Sequence, residues 1–175
     1  DPEPLSKKVN SKFNESSAVF TKDGNTMYFT RNNFINGKQK MDASKTTLLK
    51  LYKATKDDEG KWANVEELSF NSNDYSCAHP ALSPDDKTLY FASNMPGTVG
   101  QSDIFKVAIN ADGSFGTPES LGGGINTEAR ETFPFVTDEN EIFFASDGQL
   151  GLGGLDVFSV KVYEDGTMSK VFNVG

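Results

Sequence analysis

The chain has 175 residues, with 17 basic and 25 acidic side chains and a net charge of −8. That balance argues against general binding to nucleic acid or to an anionic membrane surface, and no run approaches the ~20 apolar residues of a membrane helix. One cysteine (Cys77) and one histidine (His79) exclude an internal disulfide, a multi-cysteine metal site and a His-rich zinc site.

The length predicts a single domain, 1–175, with a sizeable core. The 14 Phe and 5 Tyr are spread along the chain and argue against disorder. No N-terminal signal peptide is visible, which fits a mature chain or a fragment. Short apolar runs between Asp, Asn and Gly turns predict strands throughout, and no segment carries a sustained helical period. The first unit, about 13–68, opens with Ala18-Val19-Phe20, a turn at Asp23-Gly24 and Thr26-Met27-Tyr28-Phe29. A polar, basic stretch from Arg31 to Thr47 is nine residues longer than its later counterpart and predicts an exposed excursion. Leu51-Tyr52-Lys53-Ala54 follows, then a turn glycine, Gly60, and Trp62.

The second unit, about 75–121, repeats the plan. Its first strand is expected near Ala81 to Ser83, its second over Thr88 to Ser93, its third over Asp103 to Ile109 and its fourth over Ser114 to Leu121. Asp112-Gly113 is a hairpin turn, because both residue types tolerate positive φ. The third unit, about 129–174, has Pro134-Phe135-Val136-Thr137, Ile142-Phe143-Phe144 and Val157-Phe158-Ser159-Val160. Leu51, Ile104 and Val157 stand 53 residues apart in succession, and Leu5, Leu68, Leu121 and Val174 mark the same point of the repeat. Asn10, Asn71 and Asn126 recur at the start of each unit. A four-stranded unit repeating every ~50 residues predicts an all-β fold of antiparallel β-propeller blades. Three blades are fewer than the ~4–8 that close a ring. Either other domains of a longer chain supply the rest, or a homodimer closes the ring.

Pro80-Ala81-Leu82-Ser83-Pro84-Asp85-Asp86-Lys87-Thr88-Leu89-Tyr90-Phe91 resembles the WD40-like PD40 repeat of the TolB-type β-propellers. Ser102-Asp103-Ile104-Phe105 and Gly153-Gly154-Leu155-Asp156-Val157-Phe158 resemble the motif that follows it. Ile125-Asn126-Thr127 with Glu131-Thr132-Phe133-Pro134 resembles a subgroup found in cell-envelope proteins of Bacteroidetes-type bacteria. Some of that subgroup are OmpA-family proteins or parts of the type IX secretion machinery. The resemblance implies a periplasmic, outer-membrane-associated module, peripheral to the membrane, that meets an envelope protein or glycan. The first unit departs from the motif, with Lys22 for Pro84 and Lys50 for Asp103.

In a propeller the loops between strands two and three share a face with the inter-blade segments, and binding residues concentrate on loops held by a rigid scaffold. That face and the channel mouth nominate Glu15, His79, Asn94, Arg130, Glu131, Asp147 and Gln149. Glu15 and Glu131 read either as a carboxylate cluster for a cation or basic peptide end, or as caps on backbone N–H groups of the inter-blade turns. The recurring asparagines, Asp103 and Asp156 read as turn or backbone hydrogen-bonding residues. Cys77 and His79 are read as channel packing, because two such residues without an acid at a family spacing are weak grounds for catalysis. No catalytic residue, metal or cofactor is expected. The sequence therefore reads as a non-catalytic interaction module; the alternative is a glycan- or peptide-processing enzyme or its accessory propeller, with Glu15 and Glu131 as the nominated carboxylates.

Overall fold

The computed structural model describes residues 4–11, 14–35, 38–39 and 47–175. They form fourteen strands: β1 (Glu15–Phe20), β2 (Thr26–Asn32), β3 (Phe34–Ile35), β4 (Lys38–Gln39), β5 (Leu49–Lys56), β6 (Trp62–Glu67), β7 (Cys77–Leu82), β8 (Thr88–Ser93), β9 (Asp103–Ala108), β10 (Glu119–Ser120), β11 (Glu131–Val136), β12 (Glu141–Ser146), β13 (Asp156–Lys161) and β14 (Phe172–Asn173). Three four-stranded sheets have the orders β1-β2-β5-β6, β7-β8-β9-β10 and β11-β12-β13-β14. The long excursion of the first unit carries the small hairpin β3–β4; its residues 36–37 and 40–46, on which the expectation of exposure mostly falls, lie outside the described residues. No helix among the described residues is long and apolar enough to cross a membrane. The chain divides into two compact units, 1–79 and 80–175, with the boundary inside β7; below, the first and second units are these two, and the repeats are called blades.

Each sheet is organised by the same aromatic pair. Phe29 faces Tyr52, Phe91 faces Phe105 and Phe144 faces Phe158 across the second and third strands. Their rings stack at 5.9, 6.0 and 5.9 Å between centroids. Such cross-strand pairs are the unit of sheet stabilisation, worth roughly 0.2–1 kcal/mol each beyond burial. In the second unit Ala81, Tyr90, Ala92 and Ile104 from one sheet pack with Ile125, Ile142, Phe144, Phe158 and Val160 of the next. In the first unit Val9 packs with Met27, Phe29 and Ala54. Burying one such side chain contributes about 1.5–3 kcal/mol.

The hairpin turns hold four of the 25 acidic residues by the same bond. Thr21 donates its hydroxyl to Asp23, Ser83 to Asp85, Ser114 to Asp112 and Thr167 to Asp165, each at 2.6 Å. These hydroxyl bonds are the main cause holding all four carboxyls below the usual aspartate value. The first strand of each blade also carries a common backbone device. Ser17, His79 and Phe133 take φ values of +48°, +56° and +50°. In β1 and β11 that residue sits at a break of register with the second strand.

The fourth strand of the second blade is shorter than the expected Ser114 to Leu121. It reduces to an isolated bridge between Ile109 and Phe115 and the two residues of β10. The third blade shows the same reduction, to a bridge between Val162 and Met168 and the two residues of β14, so it belongs to the repeat; in the second blade Pro118, which has no N–H to give the ladder, falls in the gap.

Candidate functional site

The loop face of the second unit is built around one turn, Gly122 to Glu131. Asn126 sits at its centre and is buried. Its Oδ1 accepts the Ile104 N–H at 2.8 Å, and its Nδ2 donates to the Ile104 carbonyl at 3.0 Å and to the Ser120 hydroxyl at 2.8 Å. Asn71 clamps Leu51 in the same way in the first unit, at 3.0 and 2.7 Å. A primary amide of this shape completes a strand edge as a peptide group would.

Glu131 is fully buried. It accepts the Thr127 N–H at 2.8 Å, the Thr127 hydroxyl at 2.7 Å and the Ser146 hydroxyl at 2.6 Å. Its main chain joins the preceding blade: Glu131 N–H donates to the Ser102 carbonyl at 2.8 Å, and the Ser102 hydroxyl returns to the Glu131 carbonyl at 3.0 Å. The structure therefore uses this carboxylate to tie the turn to its own strands, and no oxygen of it faces solvent as a cation ligand would require. Arg130 and Asp147 meet at the surface. Arg130 donates through Nε at 2.9 Å and Nη2 at 2.6 Å to Oδ2, and its backbone N–H reaches Oδ1 at 2.8 Å. The Arg130 bonds hold the Asp147 carboxyl below its ordinary value. Gln149 Nε2 donates to the Ile125 carbonyl at 2.9 Å, fastening the 147–155 loop to the same turn. Asn94 is exposed at the start of the loop between β8 and β9. Four of the nominated residues thus gather on one turn, and Asn94 opens the neighbouring loop.

Glu15 and His79 belong to the first unit. Glu15 takes the place of Glu131 in an equivalent turn, accepting the Ser11 N–H at 3.2 Å, the Ser11 hydroxyl at 2.6 Å and Arg31 Nε at 3.1 Å. The Arg31 guanidinium lies over the rings of Phe29 and Tyr52, 5.2 and 4.8 Å from their centroids. His79 donates its backbone N–H to the Thr30 hydroxyl at 2.9 Å, and burial pushes its imidazole pKa down to about 4. Cys77, two residues earlier, is buried.

The two strand-joining loops of the second unit are held by bonds of their own. Asp103 accepts the N–H groups of Val99 and Gly100 at 2.9 and 3.3 Å, and Asp156 accepts that of Gly153 at 3.2 Å. Ser146 accepts the N–H groups of Gly148 and Gln149 at 3.0 and 3.3 Å. On this frame stand two residues that sequence reasoning passed over. Leu150 is 96% exposed and Leu152 is 92% exposed. The signal was available: both leucines stand in a glycine-rich stretch, Gly148, Gly151, Gly153 and Gly154, which reads as loop and offers no core face. At the other end of the sheets, a groove of about 900 Å³ lies between the turns at Asp85 and Asn140, with Tyr90, Lys106 and Lys161 in its walls.

The chain is similar in fold to several solved structures. A putative TolB from Agrobacterium tumefaciens matches with a TM-score of 0.56 at 20% identity, over 97% of this chain and 51% of that one. All three sheets are propeller blades. A puromycin-hydrolyzing peptidase from Mycobacterium tuberculosis matches the propeller-like chain with a TM-score of 0.58 at 14% identity, over 89% of this chain and 22% of that one. A thermostable family-43 glycoside hydrolase matches with a TM-score of 0.56 at 15% identity, over 96% of this chain and 60% of that one. No family model and no curated protein matches the sequence. The likenesses show the fold alone, and the chain spans about half the length of the TolB structure and less than a quarter of the peptidase. They correct the expectation that the chain is not an enzyme: a peptidase and a glycosidase share these blades as closely as TolB does, so the fold carries no such exclusion.

Proposed function

We propose that this chain is a propeller segment of the bacterial cell envelope that recognises a protein or glycan partner through the loop face of its second unit. The observation that carries the reading is the pair Leu150 and Leu152, almost wholly in solvent on a loop fixed by Ser146, Gln149 and Asp156. Large apolar side chains held out in solvent lose free energy in water and regain it against a partner. Because the loop is already ordered, little conformational entropy is lost on docking. The periplasmic, outer-membrane-associated setting, and a place in a type IX secretion or OmpA-like assembly, are proposed on the motif resemblance.

A second reading follows from the hydrolase likenesses: the same face presents a peptide or glycan to a catalytic centre, as the propeller of an enzyme. Glu15 and Glu131 are both engaged within their own turns and do not supply that centre's carboxylate pair.

Co-sedimentation with isolated cell envelopes tests the recognition reading. The chain should pellet with envelopes, and the variant carrying Leu150→Ser and Leu152→Ser should stay in the supernatant while keeping its circular dichroism spectrum. Equal pelleting of both would refute the proposed face. A panel of envelope peptides and glycans, read for cleavage products, tests the enzyme reading separately.

A further inference from the structure

The groove of about 900 Å³ lies between the second and third blades, at the end of the sheets away from the loop face. Both walls belong to the compact unit 80–175. One wall comes from β8, β9 and the turn before β8, the other from the turn between β11 and β12 and from β13 with the turn after it. The volume falls in the ~300–1,000 Å³ range of small-molecule sites.

Two polar groups in these walls lack a partner. Tyr90 is 4% exposed, and its ring packs in the core with Ala92, Ile104 and Phe144. Its hydroxyl has no hydrogen-bond partner among the described residues, although a buried phenol ordinarily finds one. Burial, and after it the Asp85 carboxylate, raises the Tyr90 pKa above the ordinary phenol value, so the group is a protonated hydroxyl at neutral pH. In the opposite wall Asn140 Oδ1 is buried with no donor among the described residues. Asn140 is held at φ +60°, and its amide gives a long bond of 3.4 Å to the Val162 carbonyl. A small turn of that amide brings the oxygen to the groove. An acceptor left in this way costs free energy that a ligand hydroxyl returns.

Charge narrows what fills the groove. Lys106, directly across the strand pair from Tyr90, meets Glu119 only at 3.9 Å, and Lys161 makes no ion pair among the described residues. Asp85, Asp138, Glu139 and Glu164 line the same space. An anion meets the carboxylates and a cation meets the ammonium groups, so a neutral ligand is favoured. That ligand has to accept from the lysines and donate to Asn140, and hydroxyl groups do both. Tyr163, 46% exposed, adds a ring on which the C–H face of a pyranose can lie. An extended peptide suits the groove less well, because it binds by pairing with an open strand edge, whereas Tyr90 and Lys106 present the face of a sheet.

We propose that this groove is a binding site for a small neutral saccharide, separate from the loop face, in which Tyr90 Oη and Asn140 Oδ1 hydrogen-bond the sugar hydroxyls and Tyr163 packs against its ring.

Amide correlation NMR spectra of the 175-residue chain, titrated to millimolar concentration with glucose, N-acetylglucosamine, cellotriose and chitotriose, test this. At least one of these sugars should shift the amides of Tyr90, Lys106, Asn140 and Val162 saturably and leave those of Gly148 and Gly153 in place, which separates the groove from the loop face. Tyr90→Phe removes a single oxygen, and Asn140→Gly keeps a positive φ that glycine adopts freely. Each should weaken binding about fivefold or more. Wild-type positions of the remaining cross-peaks show that the fold is kept. No saturable shift with any of the sugars, shifts confined to other residues, or unchanged affinity in both variants would each overturn the proposal. Trialanine is the peptide arm: saturable shifts in the groove with trialanine and with none of the sugars would overturn it in favour of a peptide site.

Discussion

Replacing Asn126 by alanine isolates the clamp on which the blade-to-blade seam depends. The Ile104 N–H lies in a fully buried strand and has Asn126 Oδ1 as its acceptor. Left without it, that donor costs about 1–3 kcal/mol. The two bonds given by Nδ2 add roughly 0.5–1.5 kcal/mol each, the smaller value applying at Ile104 O, which keeps the Leu121 N–H at 3.1 Å. The expected loss is therefore about 3 kcal/mol. Asn126→Asp keeps the volume but sets an oxygen against the Ile104 carbonyl, and should cost at least as much. Urea unfolding followed by far-UV circular dichroism measures both. The same clamp in the first unit is tested by Asn71→Ala and read through Trp62, the sole tryptophan. Asn10→Ala is the internal control: its Oδ1 accepts the Ser6 N–H at 3.3 Å in an exposed, local bond, so the loss should stay below about 0.5 kcal/mol. A loss under 1 kcal/mol for Asn126→Ala, or equal losses at all three asparagines, would refute the reasoning.

Further outcomes follow from the same geometry. Gly100→Ala points a methyl at the carbonyl oxygens of Thr127 and Ala129, which are backbone and cannot turn aside, so it should destabilise the second unit by about 1–3 kcal/mol in the same urea assay. The His79 imidazole is neutral in the folded protein down to about pH 4, while the unfolded chain protonates near 6.5. The unfolded state therefore binds more protons in that window, and stability present above pH 6.5 is lost as the pH falls toward 4. With allowance for the ring's partial exposure, His79→Gln should remove about 2 kcal/mol of the loss between pH 7 and 4.5; parallel pH profiles for wild type and variant would count against it. Leu150→Ser with Leu152→Ser should leave the melting temperature within about 1–2 °C, since neither side chain is buried.

The architecture was legible because a repeat exposes its own register. Tyr52, Phe105 and Phe158 stand 53 residues apart in succession, as do Phe91 and Phe144, and only Phe29 falls outside that spacing, displaced by the long excursion of its unit. The turn aspartates were legible for the same reason, each two residues from a hydroxyl. The broken fourth strands of the second and third blades were not legible because an apolar pattern registers side chains and not the backbone ladder. For Glu131 the sequence left two roles open. Burial and three donors decide that question, and neither follows from an alternating pattern. The loop that carries Leu150 and Leu152 belongs to the face read from the sequence, but the residues nominated there are mostly polar, while the exposed ones are apolar and outward.

The central claim is that this loop face is where the chain meets its partner. A photo-reactive amino acid placed at Leu152, and separately at Glu139 beside the groove at the other end of the sheets, measures that directly in intact cells. The account predicts a discrete cross-linked product from position 152 and none from position 139. No product at 152, or the same products from both positions, would contradict it.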